Sequence, residues 1–478
     1  MQSKTNFLTT AIVKAMSVFG GVQVVNILCS LVRNKLVAWL IGPAGLGLVS
    51  VYNSAIELLS TTTSLGLRNS ATRYLAGVAN AVAREELVWI VRRWAWIVGI
   101  FGCIVTLVLS PLLSYFTFES THMWWAFALL SAGVLINALT MGELAIMQGT
   151  YKLSALARST IVGNLLGLAA VFPFIYFLRE AGVVPMIVSY YVLLGASVWW
   201  VSRRKSVYCA GKHVSKSATI EKGKLLLRLG LMLTLSASAA YLFNYVFVLC
   251  LKSWGGDSTV GLYQSGYMLV NRYADLVFAA MAVEYFPRLT STVFSNRRTA
   301  MFVQQQIVVT ISVLLPLVVL FIPLRDVAIK LLYSSEFLGV SEYIAIAAVG
   351  TVFKAVSWCM SFVILAKADG RIYLITEILS NAVGFALSIV GYKWMGINGI
   401  AVGYVVWYII YTIIVGVVYF RHYHLRIAAR VLAIVGVAQC IVCASALFAL
   451  HGNVWAQWGV CFLGFIAGGI VMSRIAKH

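Results

Sequence analysis

The stretch that decides the fold is MSVFGGVQVVNILCSLVRNKLVAWLI, residues 16–41. It is long enough to cross a bilayer as a helix, for which about 20 apolar residues suffice. At 100° per residue, five of its polar side chains fall within roughly a 100° arc of one helix face. They are Gln23, Asn26, Ser30, Arg33 and Asn34. Because an arginine deep in a bilayer is costly unless it faces a partner or water, this pattern predicts a membrane helix that lines a hydrated cavity.

The composition extends this prediction to the whole chain. Of 478 residues, 61% are hydrophobic and 11% are charged, and the mean hydropathy is +0.92. These values are typical of an all-α polytopic membrane protein. The net charge of +21 does not indicate nucleic-acid binding, because the charges cluster between apolar runs. Cys440 and Cys443 form a CxxC inside an apolar helix without a second pair, so we predict no metal or other cofactor.

Apolar runs predict about fourteen transmembrane helices. They lie near residues 16–41, 45–67, 94–114, 123–148, 158–178, 182–201, 229–251, 260–285, 302–323, 341–366, 372–392, 397–420, 430–450 and 454–473. The N-terminal residues lack a small-residue cleavage site, so no removable signal peptide is predicted. With the N-terminus inside, the inner segments hold 27 basic residues and the outer segments hold five. This asymmetry predicts that both termini are cytoplasmic.

A basic stretch divides the chain into two predicted lobes. We expect a six-helix N-terminal lobe at 1–201, a basic cytoplasmic loop at 202–228 and a six-helix C-terminal lobe at 229–420. Two additional helices at 421–478 have no counterpart in the first lobe. A weak repeat relates LIGPAGLGLVSVY (40–52) to SWGGDSTVGLYQS (253–265), with Gly47 and Gly261 214 residues apart. Pseudo-symmetric lobes are common in transporters, whose substrate site lies between them.

Further helices repeat the polar stripe and supply the candidate site residues. The predicted diphosphate-binding cations of a central cationic cavity are Arg33, Arg272, Lys354 and Lys35. Asp275, one turn beyond Arg272, can neutralise it. Lys354 has no acid at i±3 or i±4, so its partner must come from another helix or from the ligand. Lys35 lies off the stripe and can extend to the interface instead.

Other stripe residues are predicted to line the same cavity. They are Gln23, Asn26, Glu57, Asp275 and Glu377. The three acids are either structural counter-ions or binding groups for a proton or Na⁺ that couples transport to an ion gradient. The sequence favours neither role. No catalytic residue and no metal ligand set is predicted.

Five motifs resemble those of bacterial lipid-linked oligosaccharide flippases, the O-antigen translocases of the multidrug/oligosaccharidyl-lipid/polysaccharide exporter superfamily. They are KLVAWLIGPAGLGL (35–48), TRYLAG (72–77), FPRLTS (286–291), LAKADGRIYLITE (365–377) and GINGIAVGYVVWYIIY (396–411). The likeness covers residues 10–420. Within the family, the chain most resembles the branch that moves the enterobacterial common antigen unit. That branch usually has twelve spans, so the two extra helices leave O-antigen, common-antigen and capsule units open.

The resemblance implies a function and a location. The chain would move an undecaprenyl-diphosphate-linked oligosaccharide between leaflets of the inner membrane of a Gram-negative bacterium by alternating access. Its partners would be that substrate, membrane lipids, a coupling H⁺ or Na⁺, and the glycan polymerase machinery. The resemblance also supports Lys35, since the common-antigen branch has lysine seven residues before its glycine turn. Peptidoglycan-precursor flippases have arginine nine residues before theirs, the position of Arg33.

Two other functions compete with this interpretation. A multidrug or cation exporter of the same architecture would need an acidic, aromatic cavity for cationic drugs, whereas cations dominate the mid-depth positions here. A membrane glycan polymerase or ligase would need positioned acids or a metal, commonly on a sizeable loop. The only acidic residues of the outer loop 324–340 are Asp326 and Glu336, and the only acidic residue of the inner loop 202–228 is Glu221. The sequence therefore favours a carrier over an enzyme.

Overall fold

The protein is all-helical in a computed structural model that describes residues 2–78, 80–204 and 216–476. Within these ranges the chain forms thirteen α-helices joined by turns. They are α1 (Gln2–Ser64), α2 (Leu67–Gly77), α3 (Ala81–Phe118), α4 (Trp124–Gly149), α5 (Leu153–Leu178), α6 (Val183–Arg204), α7 (Lys216–Thr292), α8 (Asn296–Leu332), α9 (Ser341–Ala348), α10 (Gly350–Ala366), α11 (Gly370–Val417), α12 (Ala429–Leu450) and α13 (Val454–Ala476). The predicted loop 202–228 lies partly outside the described residues, and its second part belongs to α7.

Membrane-spanning helices dominate the fold. Among the described residues, eight continuous helices are long and apolar enough to cross a membrane, or nine if the bent pair α9 and α10 is one span. The class of multi-pass helical membrane protein is thus confirmed. Four of these candidate spans have 44 to 53 residues, about twice the length that one crossing needs: Gly21–Ser64, Leu153–Arg204, Leu233–Ala282 and Gly370–His422. The predicted number of fourteen crossings stays a prediction.

Glycines interrupt three of the long helices. Gly42 (φ 65°), Gly256 (φ 74°) and Gly396 (φ 61°) lie in the left-handed region, where a side chain would be strained. Each therefore joins two helical segments within α1, α7 and α11. Gly42 and Gly256 are 214 residues apart and lie within the two stretches of the predicted repeat. The repeat thus corresponds to a shared backbone conformation.

The first of two compact units comprises Met1–Val260. In it α3 packs on α4, α5 on α6 and α1 on α5. An ion pair fastens three of its helices: Arg92 Nε on α3 lies 2.6 Å from Glu143 Oε1 on α4, and Ser202 Oγ on α6 donates to Glu143 Oε2 at 2.6 Å. The start of α7 joins this unit, since Trp94 Nε1 donates to the Thr219 carbonyl at 2.9 Å.

The second unit comprises Gly261–His478. Here α8 packs against α10, α12 and α13, and α10 packs on α11. One apolar core runs through these helices, and it includes Ile311, Val318, Cys359, Val442 and Cys461. The last two helices therefore share the core of this unit. The lobe boundaries predicted at 202–228 and 420 stay a prediction.

Candidate functional site

Lys354 lies at the centre of a polar cluster in the second unit. Its Nζ, on α10, donates to Asn271 Oδ1 at 2.6 Å and to Asp275 Oδ1 at 3.1 Å. Asn271 and Asp275 are four residues apart on α7, so both project from one helix face. The Lys354 side chain is 15% exposed, whereas that of Asp275 is 53% exposed. The cation is thus enclosed by protein, and one of its two partners is open to solvent.

This arrangement corrects one expectation from the sequence. Asp275 pairs with Lys354 and not with Arg272, because the facing helix α10 brings the amine against the 271 and 275 side of α7. Arg272 is half-buried and makes no ion pair with any residue in the described part of the chain. The partners of Lys354 come from another helix, one of the two sources that the sequence left open.

Aromatic rings surround the amine. The Phe278 and Tyr408 ring centres lie 5.5 and 6.0 Å from Lys354 Nζ, within the range of cation–π attraction. Tyr404 OH donates to Asn271 Oδ1 at 2.9 Å, so that amide oxygen is shared between a tyrosine and the lysine. These contacts fix the amine in position. A fixed, largely desolvated cation is suited to binding an anion through a charge-assisted hydrogen bond.

Glu377 is connected to the Lys354 cluster through three tyrosines. On α11 its Oε1 accepts a hydrogen bond from Tyr411 OH at 2.5 Å. Tyr411 ring-packs with Tyr408, which in turn packs on Tyr404 at 4.8 Å between ring centres. A continuous contact therefore runs from Glu377 through three tyrosines to the amide that holds Lys354.

Arg33 is the corresponding cation in the first unit. It is half-buried, its Cζ lies 5.3 Å from the Tyr190 ring centre, and its Nε is buried without a hydrogen-bond partner among the described residues. Tyr190 OH donates to Asn164 Oδ1 at 2.8 Å, and Asn164 Nδ2 donates to Asn26 Oδ1. The ring beneath the guanidinium is thus held by two asparagines, one of which is the predicted Asn26.

Glu57 lines a cavity of about 550 Å³ within the first unit. Arg68, Tyr190 and Asn137 line it as well. Ser60 Oγ and Asn137 Oδ1 are buried there without a hydrogen-bond partner in the described ranges. Buried polar groups are normally satisfied, so these two oxygens are suited to water or to a small cation.

The remaining predicted residues are less enclosed. Gln23 and Lys35 are both exposed on α1. That cations from the two lobes serve one central cavity stays a prediction.

Sequence reasoning missed the tyrosines. Tyr404, Tyr408 and Tyr411 are spaced by four and three residues, which places them on one helix face. That spacing was visible, but tyrosines in membrane helices are usually interfacial or packing residues. Asn164 on α5 and Asn137 on α4 lie outside the helices whose polar stripes selected the candidate residues.

Two solved structures share this fold. It is similar to "Lipid II flippase MurJ, inward closed conformation", with a TM-score of 0.71 at 13% identity over 96% of this chain and 99% of that chain. It is also similar to an inward-facing multidrug resistance MATE family transporter of the MOP superfamily, with a TM-score of 0.66 at 14% identity over 85% of this chain and 95% of that chain. The chain therefore has the fold of these two solved structures.

The family follows from the sequence match. Residues 12–293, more than half of the chain, match the family described as "Polysaccharide biosynthesis protein". The chain belongs to this family. A relative, the Lipid III flippase of Escherichia coli (strain K12), is 24% identical over 407 residues, which are 81% of this chain and 93% of the relative.

Proposed function

We propose that the protein is a flippase for an undecaprenyl-diphosphate-linked oligosaccharide, an O-antigen or related surface-glycan repeat unit. The observation that carries this proposal is the position of the Lys354 amine. Asn271 and Asp275 hold it in place, and the Asp275 carboxylate is half-exposed. The chemistry of the amine suits the diphosphate of such a lipid. The family and the Lipid III flippase homology support the same substrate class.

The proposed cycle follows from charge. The substrate diphosphate enters from the cytoplasmic leaflet and replaces Asp275 as the partner of Lys354. The prenyl tail stays in lipid, and alternating access exposes the head group to the opposite side. An inside-negative potential favours this outward movement of anionic charge by about 2.3 kcal/mol per charge per 100 mV.

We also propose a location and an orientation for the protein. We place it in the inner membrane of a Gram-negative bacterium with both termini in the cytoplasm, where it receives substrate from cytoplasmic synthesis and delivers it to the glycan polymerase machinery. The Lys and Arg asymmetry of its loops supports this orientation.

Deleting the gene is expected to trap the undecaprenyl-linked oligosaccharide in the inner leaflet and to remove the surface glycan. The measurement is the accumulation of the lipid-linked sugar by mass spectrometry, with the glycan on the cell surface as a second readout. Complementation with the intact chain should reverse both. Normal glycan and no trapped lipid in the deletion strain would contradict the flippase assignment.

A multidrug exporter is the second candidate, because the fold also matches a MATE transporter and the Lys354 cluster contains aromatic rings and an acid. In that case the deletion strain would become sensitive to cationic dyes while its surface glycan remained normal. Measuring dye susceptibility in the same strain therefore separates the two functions.

We further propose that Glu57 binds the coupling cation, a proton or Na⁺. Its cavity contains two oxygens, of Ser60 and Asn137, that lack protein partners among the described residues. Glu377 and Asp275 are the other two acids for which the sequence leaves this role open. Glu377 accepts a hydrogen bond from Tyr411, and Asp275 pairs with Lys354.

Glu57→Gln is expected to lower the translocation rate in proteoliposomes about tenfold and to abolish its response to a Na⁺ or proton gradient, because the amide cannot carry the charge that balances the cation. The measurement is translocation with and without each gradient. Glu180→Gln, which neutralises an exposed acid outside the cavity, is the matched control. A full gradient response in Glu57→Gln would remove this site from the coupling mechanism.

A further inference from the structure

A cavity in the second unit lies apart from Lys354. It has a volume of about 1390 Å³ and is a groove between α8, α12, α13 and the segment that joins α11 to α12. This volume exceeds the roughly 300–1,000 Å³ typical of small-molecule pockets, so the cavity has room for a larger molecule. We call it the C-terminal groove.

One end of the groove is basic. Arg288, Arg297, Arg426 and Arg430 all line it. Arg288 pairs with Glu284 at 2.6 Å, but Arg297, Arg426 and Arg430 have no ion pair with any other residue that the structure describes. These arginines follow the predicted inner ends of the helices, where the head groups of the cytoplasmic leaflet lie. Three uncompensated guanidinium groups there favour a phosphate.

The rest of the groove is apolar. Its walls include Val308, Ile311 and Leu315 on α8 and Ile434 and Val437 on α12. Arg297 and Leu315 are eighteen residues apart on α8, which is about 27 Å at 1.5 Å per residue. This length exceeds the thickness of one leaflet, which is half of the bilayer's hydrocarbon core of about 30 Å. Val437 is exposed, so the groove is open on this side.

The walls are held in place by hydrogen bonds. Gln304 Nε2 donates to the Arg426 carbonyl at 3.0 Å, and its Oε1 accepts from the Ala428 amide at 3.1 Å. Asn296 Nδ2 donates to the Tyr423 carbonyl at 3.2 Å. These bonds fix the segment before α12 against α8, so the basic end of the groove is preformed.

We propose that the C-terminal groove binds an anionic glycerophospholipid of the cytoplasmic leaflet, with the phosphate among Arg297, Arg426 and Arg430 and an acyl chain along α8 and α12. The groove is basic at one end and apolar along its walls. An anionic lipid has the same order, with its phosphate at the membrane interface and its acyl chains in the core. The site does not depend on the proposed function, because none of its residues contacts Lys354.

Native mass spectrometry of the purified full-length protein tests this proposal with added phosphatidylglycerol and phosphatidylethanolamine. The intact chain should retain phosphatidylglycerol preferentially. In Arg297→Gln/Arg430→Gln, retention should fall about thirtyfold, since each basic residue near an anionic lipid surface contributes about 1 kcal/mol. Ala433→Trp, which fills the apolar wall at an exposed position, should reduce retention with the arginines intact.

Arg371→Gln is the matched control, because it removes an exposed arginine that does not line the groove. It should leave phosphatidylglycerol retention unchanged. Equal retention in the intact chain and in both groove variants would overturn the proposal, as would equal retention of phosphatidylethanolamine. Displacement of phosphatidylglycerol by an equal concentration of undecaprenyl phosphate would also overturn it, since the groove would then belong to the carrier lipid.

Discussion

Lys354→Ala is expected to lower the rate of lipid-linked oligosaccharide translocation by about tenfold to a hundredfold while the protein still folds. This range corresponds to the loss of one hydrogen bond to a charged group, about 1.5–3 kcal/mol. The measurement is translocation in proteoliposomes, together with surface glycan in a complemented deletion strain. Lys354→Arg, which keeps the charge, should retain part of the activity.

A purely structural role of Lys354 makes a different prediction. If the lysine serves only to neutralise Asp275, then Lys354→Ala/Asp275→Asn should restore transport, because neither charge is left without its partner. If the amine binds the diphosphate, the double variant should recover thermal stability but not transport. Restored transport in the double variant would refute the binding role.

The first unit offers a matched control for this experiment. Lys252 Nζ and Asp257 Oδ1 lie 2.5 Å apart, and the Lys252 side chain is 12% exposed, close to the value for Lys354. Lys252→Ala/Asp257→Asn removes the same chemical pair outside the proposed site. Its transport should remain close to that of the intact chain, which distinguishes loss of a substrate contact from loss of any enclosed ion pair.

Gly399→Ala should destabilise the protein by about 3 kcal/mol or more, at the upper end of the cost of overpacking. The two halves of α11 fold back on each other at Gly396 and cross where Gly391 and Gly399 meet. A Cβ atom at Gly399 would overlap the Gly391 carbonyl oxygen, which is backbone and cannot rotate away. One turn further, a Cβ at Gly403 would stand 2.7 Å from the Leu387 carbonyl oxygen.

The readout is the apparent melting temperature of the monodisperse protein in detergent. Gly436→Ala is the control, since a Cβ there meets no atom within 4 Å. In that helix interior, alanine should be neutral or stabilise by up to about 1 kcal/mol. Equal melting temperatures for Gly399→Ala and Gly436→Ala would show that the two halves of α11 do not depend on this close approach.

Much of the fold could be predicted from the sequence, since long apolar runs and the loop charges indicate a multi-pass helical protein without tertiary information. The glycine turns near 42 and 256 were visible as a repeat. The break at Gly396 falls between two of the predicted spans, 372–392 and 397–420, because the apolar runs end and begin again there.

The candidate site was harder to predict. Polar stripes selected Lys354, Asp275 and Arg33 because charge inside an apolar run is conspicuous. The pairing of Lys354 with Asn271 and Asp275 depends on which helices face each other, and no local pattern contains that information. Tyr404 acquires its role only through the fold-back of α11 and the position of α7.

The half-exposed carboxylate of Asp275 has a consequence for selectivity. Because Asp275 already pairs with the Lys354 amine, an arriving anion has to displace this carboxylate before it can bind there. Phospholipids with a single negative charge, which vastly outnumber any carrier lipid, have no electrostatic advantage over the Asp275 carboxylate. A diphosphate carries more charge and more acceptor oxygens. Under the proposed function it would displace Asp275 where a singly charged head group would not, and the resting ion pair would select against the bulk lipids of the membrane.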